Sequence, residues 1–340
     1  MNLRAVQVRP GRVELIDAEP AALGPGDARV GVAACGVCGT DVHMLQGMVL
    51  PKGVSYPLRP GHEVSGVVVE RGEAAGVAVG ARVVLHPLRA CGECAACLAG
   101  DEQRCQDGRI LGIHDPGGMA DQVVWPADRM VDVGDLDLRQ AALLADAGAT
   151  AHHALRLAGL ADHAALGVIG AGGLGTQVIQ LARVLLPSAQ IVAVTRSDAS
   201  TERARSLGAR AFQGLQDAAR RVRREEGELD AVVDFSGSPS AAAEGARMLR
   251  RGGRLVLGSV VDEPLELGTT VTGFVTRELQ VVGAYTSSIE DLRAVADLAG
   301  SGMLDVSGSV SAVMALDDAV RAFEVMSQPS PGLVRLVLQP

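Results

Sequence analysis

Leu166-Gly167-Val168-Ile169-Gly170-Ala171-Gly172-Gly173-Leu174-Gly175 is the stretch on which the fold turns. A short apolar run ends in Gly-x-Gly-x-x-Gly and continues into Val178-Ile179 and Leu181-Ala182, whose apolar spacing is helical. A strand that feeds such a loop directly into a helix is the context that makes the glycine pattern a dinucleotide-binding fingerprint. Gly170 allows the tight turn, Gly172 lets a pyrophosphate approach the backbone, and Gly175 lets the helix pack close to the strand. Gly173 and Leu174 open the helix, whose N-terminal amides face the phosphate. About twenty residues on, the second strand should end on an acid that binds the ribose hydroxyls of NAD. It reads Val192-Ala193-Val194-Thr195-Arg196-Ser197, with Thr195 at the place of the acid and a guanidinium after it. A missing carboxylate beside Arg196 favours a 2′-phosphate, hence NADP(H) over NAD(H), although Asp198 is an acid that could serve NAD.

Outward from this loop, strand and helix alternate. Strands are expected at 166–169, 190–194, 230–235, 254–257 and 280–282, with helices at 174–186 and 201–207 among those between them. That alternation argues for a parallel sheet of βαβ crossovers. An Ala/Leu-rich helical stretch precedes it, from Asp137 to Gly159. The first 130 residues have another texture: short Val-rich strands at 5–9, 12–16, 29–34, 64–70 and 81–85, punctuated by Gly and Pro pairs, as in an all-β lobe with long loops. The last 55 residues carry helices at 289–299 and 316–326 and a terminal Val/Leu strand, a combination that can join either lobe. With 340 residues, 48% apolar and mean hydropathy +0.22, the chain has material for two packed cores. A net charge of −9 and a pI near 5.3 exclude an electrostatic footprint for nucleic acid or an anionic membrane. No apolar run approaches the roughly 20 residues of a membrane span, and Met1 to Arg12 mixes charges into an alternating pattern, so a cytoplasmic protein is expected.

All six cysteines lie between Cys35 and Cys105. Cys91, Cys94, Cys97 and Cys105 place four thiols in one short loop, and the two-residue gaps let successive sulfurs converge on one tetrahedral ion. An iron–sulfur run would bring its fourth Cys after three residues and follow it with Pro, whereas here seven residues intervene and Gln106 follows. A structural zinc is the expectation, closed by four protein donors.

The remaining chemistry-bearing residues fall in Cys35-Gly36-Val37-Cys38-Gly39-Thr40-Asp41-Val42-His43 and in Gly61-His62-Glu63. Alone, the first could be a redox pair and the second a structural histidine. Together with the glycine loop, the chain resembles the zinc-dependent medium-chain alcohol dehydrogenases. The segment Gly61-His62-Glu63-Val64-Ser65-Gly66, continuing through Gly72 to Ala75, is similar to the zinc pattern of that family, and the cysteine loop sits where its structural-zinc lobe lies. The resemblance implies Cys38 and His62 as ligands of a catalytic zinc, with the third in Leu143-Leu144-Ala145-Asp146-Ala147-Gly148-Ala149-Thr150, where many relatives have Cys and this chain has Asp146, as in a bacterial secondary-alcohol branch. A carboxylate inside an Ala/Leu stretch is costly to bury without a cation or donors, which supports Asp146 on physical grounds. The same resemblance makes Glu63 a transient fourth donor, Asp41 the residue that orients His62, and Thr40 and His43 a proton relay. Arg335 would meet a cofactor phosphate, while Gly39 stands where relatives often carry a basic residue for the pyrophosphate. Cys35 is read as packing.

The implied protein is an α/β enzyme with an N-terminal GroES-like, β-rich catalytic domain at residues 1–150 and a doubly wound parallel-sheet Rossmann domain at 151–285. Residues 286–340 would return to the catalytic domain, with the active site in the cleft. It would be a homodimer or homotetramer with two zinc ions per chain, moving hydride between NAD(P) and a small-molecule alcohol or carbonyl, the alcohol secondary or medium-sized. A polyol or sugar-alcohol dehydrogenase, a biosynthetic reductase, and a non-catalytic NAD(P)H-binding regulator are the alternatives. Met48, Tyr56, His114, Trp125 and Tyr285 are the side chains offered for a substrate pocket.

Overall fold

The computed structural model describes residues 3–328 and 332–340. It divides into two compact units, Met1–Ala149 with Ser288–Pro340, and Thr150–Ser287.

The second unit is built on a six-stranded parallel sheet. Its strands, in spatial order, are Arg210–Gln213, Gln190–Thr195, Ala165–Ile169, Leu229–Asp234, Leu249–Leu257 and Gln280–Gly283. In chain order this is 3-2-1-4-5-6, the doubly wound arrangement that the resemblance implied for the parallel sheet. The chain leaves the centre in one direction, then returns and builds in the other, so the connections that leave the carboxyl ends of Ala165–Ile169 and Leu229–Asp234 run to opposite sides at the switch point. Ile169 pairs with Val194 on one side and with Asp234 on the other. These strands read as continuous apolar runs because helices cover both faces: Ile191, Val192, Ala193 and Val194 are all buried. Gly175 shows how tightly the first helix, Gly173–Leu185, is drawn onto the sheet, since a Cβ there would lie 1.8 Å from the Gly170 oxygen.

The first unit is organised by a seven-stranded sheet with Asp27–Val37 as its hub. That strand pairs antiparallel with Glu63–Arg71, with Gln122–Pro126 and with the terminal strand Leu336–Gln339. Two register breaks against Glu63–Arg71, at Arg29/Val30 and Val32/Ala34, bend the hub strand as bulges do. The core gathers Val30, Val64, Leu85, Met44, Trp125 and Phe323. Trp125 is fully packed and donates from its indole nitrogen to the His86 carbonyl at 2.8 Å, so it belongs to the core and does not line a pocket.

Of the elements whose bounds differ from their sequence reading, two lie beside the candidate sites. The stretch expected as one helix from Asp137 to Gly159 is an α-helix Leu138–Leu143, a π-helical turn Leu144–Gly148 and a second α-helix Ala149–Ala158. The helix expected from Thr201 begins three residues earlier, at Asp198, because Ser197 and Ser200 cap each other's backbone N–H groups. Among the described residues no helix is long and apolar enough to cross a membrane.

Candidate functional site

Three breaks in regular structure converge in the first unit. The hub strand ends at Val37, and Cys38 then caps the helix Gly39–Leu45. The Asp41 carboxylate closes that cap by accepting from the Cys38 N–H at 2.8 Å. Across the ladder, Gly36 faces Glu63, which brings the Cys38 end of one strand to the His62 end of its neighbour. A Cβ on Gly36 would come 2.0 Å from Glu63 Oε2, so glycine is what admits this carboxylate. The third break is the π turn carrying Asp146; such turns recur at functional sites because the extra residue swings a side chain out of helical phase.

Donor atoms from Cys38, His62, Glu63 and Asp146 all lie within 4.8 Å of one another. Asp146 Oδ2 is 3.7 Å from Cys38 Sγ and 3.8 Å from His62 Nε2. His62 and Glu63 are buried, and neither Glu63 oxygen has a hydrogen bond, nor does His62 Nδ1. Arg335 Nη2 stands 3.1 Å from Glu63 Oε1 and 3.9 Å from Asp146 Oδ2. Burial pushes Glu63 up to about 7 against the opposing pull of Arg335, while nearby Asp146 adds to the rise. Burial also raises Asp41. For His62 burial acts the other way, but Asp41, Asp146 and Cys38 outweigh it and hold the imidazole well above its usual range. A set of one thiol, one imidazole and two carboxylates, three of them buried and Asp146 half-buried, with orphaned polar atoms among them, is a donor set of the kind that binds zinc.

The residues around this set fall as follows. Asp41 Oδ1 is 3.8 Å from His62 Nδ1, an ion-pair distance longer than a hydrogen bond. Thr40 Oγ1 is 4.0 Å from Cys38 Sγ, and His43 is exposed three residues further along the same helix. Cys35 is buried, with burial raising its thiol pKa. Arg335, expected at a cofactor phosphate, is buried beside Glu63 in this structure. Tyr56 donates from its hydroxyl toward the Met44 and Met48 carbonyls at 3.1 and 3.2 Å, His114 Nδ1 accepts from the Ile110 N–H, and Tyr285 is exposed.

The four-cysteine loop lies at the surface of the same unit. Its sulfurs are within 4.8 Å of one another, with Cys94 and Cys91 at 3.5 and 3.8 Å from Cys97. Sulfurs on a tetrahedral zinc, each about 2.3 Å from the ion, stand roughly 3.8 Å apart. Backbone N–H groups of Glu93 and Cys94 point at the Cys91 sulfur and bring its pKa down to about 7, which favours the thiolate that a metal needs. The cluster therefore fits a single tetrahedral ion.

In the second unit Gly170 has φ +87° and donates its N–H to the Val194 carbonyl at 2.9 Å. Gly172 caps the helix Gly173–Leu185, and no protein atom lies within 4 Å of where its Cβ would be, which leaves open space for a phosphate. Thr195 is buried with its hydroxyl 2.5 Å from that of Thr201, and Arg196 beside it is exposed. Two residues near this loop escaped the sequence reading. Asp234 sits buried at the end of the central strand, accepting from the Ser236 N–H at 2.7 Å, with its pKa raised by burial. Arg203 reaches back from the next helix to the Ala171 carbonyl. Neither belongs to a spaced motif; their placement depends on which strands adjoin.

Comparison with known proteins is consistent over the whole chain. Residues 24–135 match the alcohol dehydrogenase GroES-like domain, and residues 173–301 match the zinc-binding dehydrogenase domain. An alcohol dehydrogenase of Geobacillus stearothermophilus is 32% identical over 85% of this chain and 86% of its own length. The 2-dehydro-3-deoxy-L-galactonate 5-dehydrogenase of Pseudoalteromonas atlantica is 31% identical, over 92% of this chain and 91% of its own. Among solved structures, a zinc-binding dehydrogenase from Sinorhizobium meliloti 1021, bound to NADP, superposes with a TM-score of 0.90 at 29% identity over 100% of both chains. An alcohol dehydrogenase from Thermus sp. ATN1 gives 0.91 at 27% identity, over 99% of both.

Proposed function

Because this chain belongs to the zinc-dependent alcohol dehydrogenases of the medium-chain dehydrogenase/reductase family, enzymes that work with NAD(P), we propose that Cys38, His62 and Asp146 hold a catalytic zinc and that Cys91, Cys94, Cys97 and Cys105 hold a structural one. The observation that carries this reading is the buried convergence of Cys38, His62, Glu63 and Asp146. When bound, zinc supplies a Lewis acid for an alcohol or carbonyl oxygen, and the nicotinamide supplies the hydride acceptor or donor.

The residues then divide the work. The Cys38 thiolate and the Asp146 carboxylate neutralise a dication, with His62 as the neutral third donor, so one position stays open for the substrate. Asp41 orients the His62 ring. Glu63 is the transient fourth donor, and Arg335 holds it in reserve; Arg335 would have to release Glu63 to meet a cofactor phosphate. Thr40, beside Cys38, would take the substrate proton, and His43 on the same helix would release it at the surface. The loop Gly170–Gly175 receives the pyrophosphate, and the exposed Arg196 favours NADP(H) over NAD(H). In domain terms, residues 1–150 with 286–340 do the chemistry and 151–285 hold the dinucleotide. Relatives named for alcohol, sugar-acid and threonine dehydrogenation support a small-molecule alcohol substrate, secondary or medium-sized, with a polyol or sugar derivative as the alternative. The working form is a cytoplasmic homodimer or homotetramer.

Elemental analysis of the purified chain should return two zinc ions per chain. Asp146→Asn, which keeps shape and removes the charge, should bring that to one and lower kcat/KM for alcohols at least about 100-fold, roughly 2.7 kcal/mol of transition-state stabilisation, with unchanged far-UV circular dichroism. Two zinc ions and full turnover in this variant would sink Asp146 as the third ligand.

A further inference from the structure

The dinucleotide loop of the second unit has a cation seated on it that the glycine fingerprint does not contain. Arg203, on the helix Asp198–Ser206, donates from Nη1 to the carbonyl of Ala171 at 3.1 Å. Ala171 lies between Gly170, whose own N–H is tied to the neighbouring strand, and Gly172, which caps the next helix with open space before it. The same carbonyl takes a longer bond from the Thr176 hydroxyl, 3.4 Å. Ala171 is buried, whereas Arg203 is half-buried, so its guanidinium stands at the edge of the loop with part of the side chain in solvent. Burial works against its charge, and an arginine held at a loop edge under that penalty remains protonated all the same.

What such a loop offers an anion is otherwise partial charge: backbone N–H groups and a helix terminus worth about half an elementary charge. A dinucleotide brings a pyrophosphate with two negative charges, and NADP brings a third phosphate. A guanidinium has five N–H donors in a planar fork, and the bond to the Ala171 carbonyl fixes that fork beside the glycines. A phosphate oxygen is a much stronger acceptor than a backbone carbonyl for that fork. We infer that Arg203 is a cofactor-binding residue, the cation that neutralises a phosphate of the dinucleotide at the Gly170–Gly175 loop; the inference rests on the dinucleotide reading of that loop given above. Arg203 comes seven residues after Arg196, and the acids of the same segment, Asp198 and Glu202, are both exposed. Arg196 acts from the strand end and Arg203 from the helix.

Isothermal titration of the full-length protein with NAD⁺ and with NADP⁺ tests it, comparing wild type with Arg203→Met and Arg203→Lys. The Met variant keeps the apolar stem and should raise Kd at least about tenfold, equivalent to 1.4 kcal/mol; the Lys variant should recover most of that loss, and both should melt within about 3 °C of wild type. Equal weakening toward both dinucleotides places the guanidinium on the pyrophosphate, and weakening toward NADP⁺ alone places it on the 2′-phosphate; either supports the inference. Unaltered Kd values in Arg203→Met would overturn it. So would equal weakening in the Met and Lys variants together with a clear fall in melting temperature, which marks a packing role. A wild-type chain that binds neither dinucleotide would overturn the reading of the loop itself, and the inference with it.

Discussion

Arg196 stands at the end of a buried strand, directly after Thr195, whose hydroxyl is already engaged by Thr201. A buried hydroxyl with a partner has little left to give a ribose, so the proposed discrimination between the dinucleotides rests on the exposed guanidinium. Arg196→Asp restores the acid that favours free ribose hydroxyls and removes the phosphate partner. The ratio of kcat/KM with NADP⁺ to that with NAD⁺ should fall at least about tenfold in initial-rate measurements; an unchanged ratio would refute the assignment. The same scale shows what residue types announce and what they conceal. Asp146 declared itself as a charge among alanines and leucines, because burying it alone is expensive. Its neighbour Arg335 stood out only through the resemblance, as a partner for a cofactor phosphate, and its pairing with Glu63 comes from the fold that buries it there.

At the level of elements, the stretch from Asp137 to Gly159 reads as one helical stretch because Ala and Leu make up more than half of it and recur throughout its length. A π turn adds one residue per turn without altering that pattern, so the break at Leu144–Gly148 left no trace in the periodicity. The four-cysteine loop is the opposite case: spacing alone brought its sulfurs to one point, since each short gap spans only a turn of chain. Its role is separable from the buried centre. Cys94→Ser should reduce bound zinc from two to one per chain while Asp146 and its neighbours keep theirs. It should lower the melting temperature by about 5 °C or more, on the order of 2 kcal/mol for a chain of this size. Loss of both ions, or no thermal effect, would contradict a separate structural site.

For the whole molecule, the last 55 residues matter most, because they decide what pairs with the Cys35–Val37 end of the hub strand, beyond the stretch that Gln122–Pro126 covers. The terminal strand pairs Leu336 with Val37 and Leu338 with Cys35, and both leucines are fully buried. Leu338→Ala should therefore cost about 2–5 kcal/mol in urea unfolding, as a large-to-small change in a packed core. A cost under about 0.5 kcal/mol would place this strand outside the core. The alternation of strand and helix was enough to argue for a parallel sheet, because parallel neighbours need crossover connections; the doubly wound order came from the resemblance. The glycine loop and the cysteine spacing were equally local, and so legible. A four-residue Val/Leu strand fits many sheet edges, and only its ladder with Asp27–Val37 decided which one. The buried centre is the same kind of fact: Cys38, His62 and Asp146 are far apart in the chain, and the Gly36–Glu63 register together with a π turn brings their donors together. Short-range chemistry is written along the chain, whereas convergence of distant groups depends on register and packing, which exist only once the chain has folded.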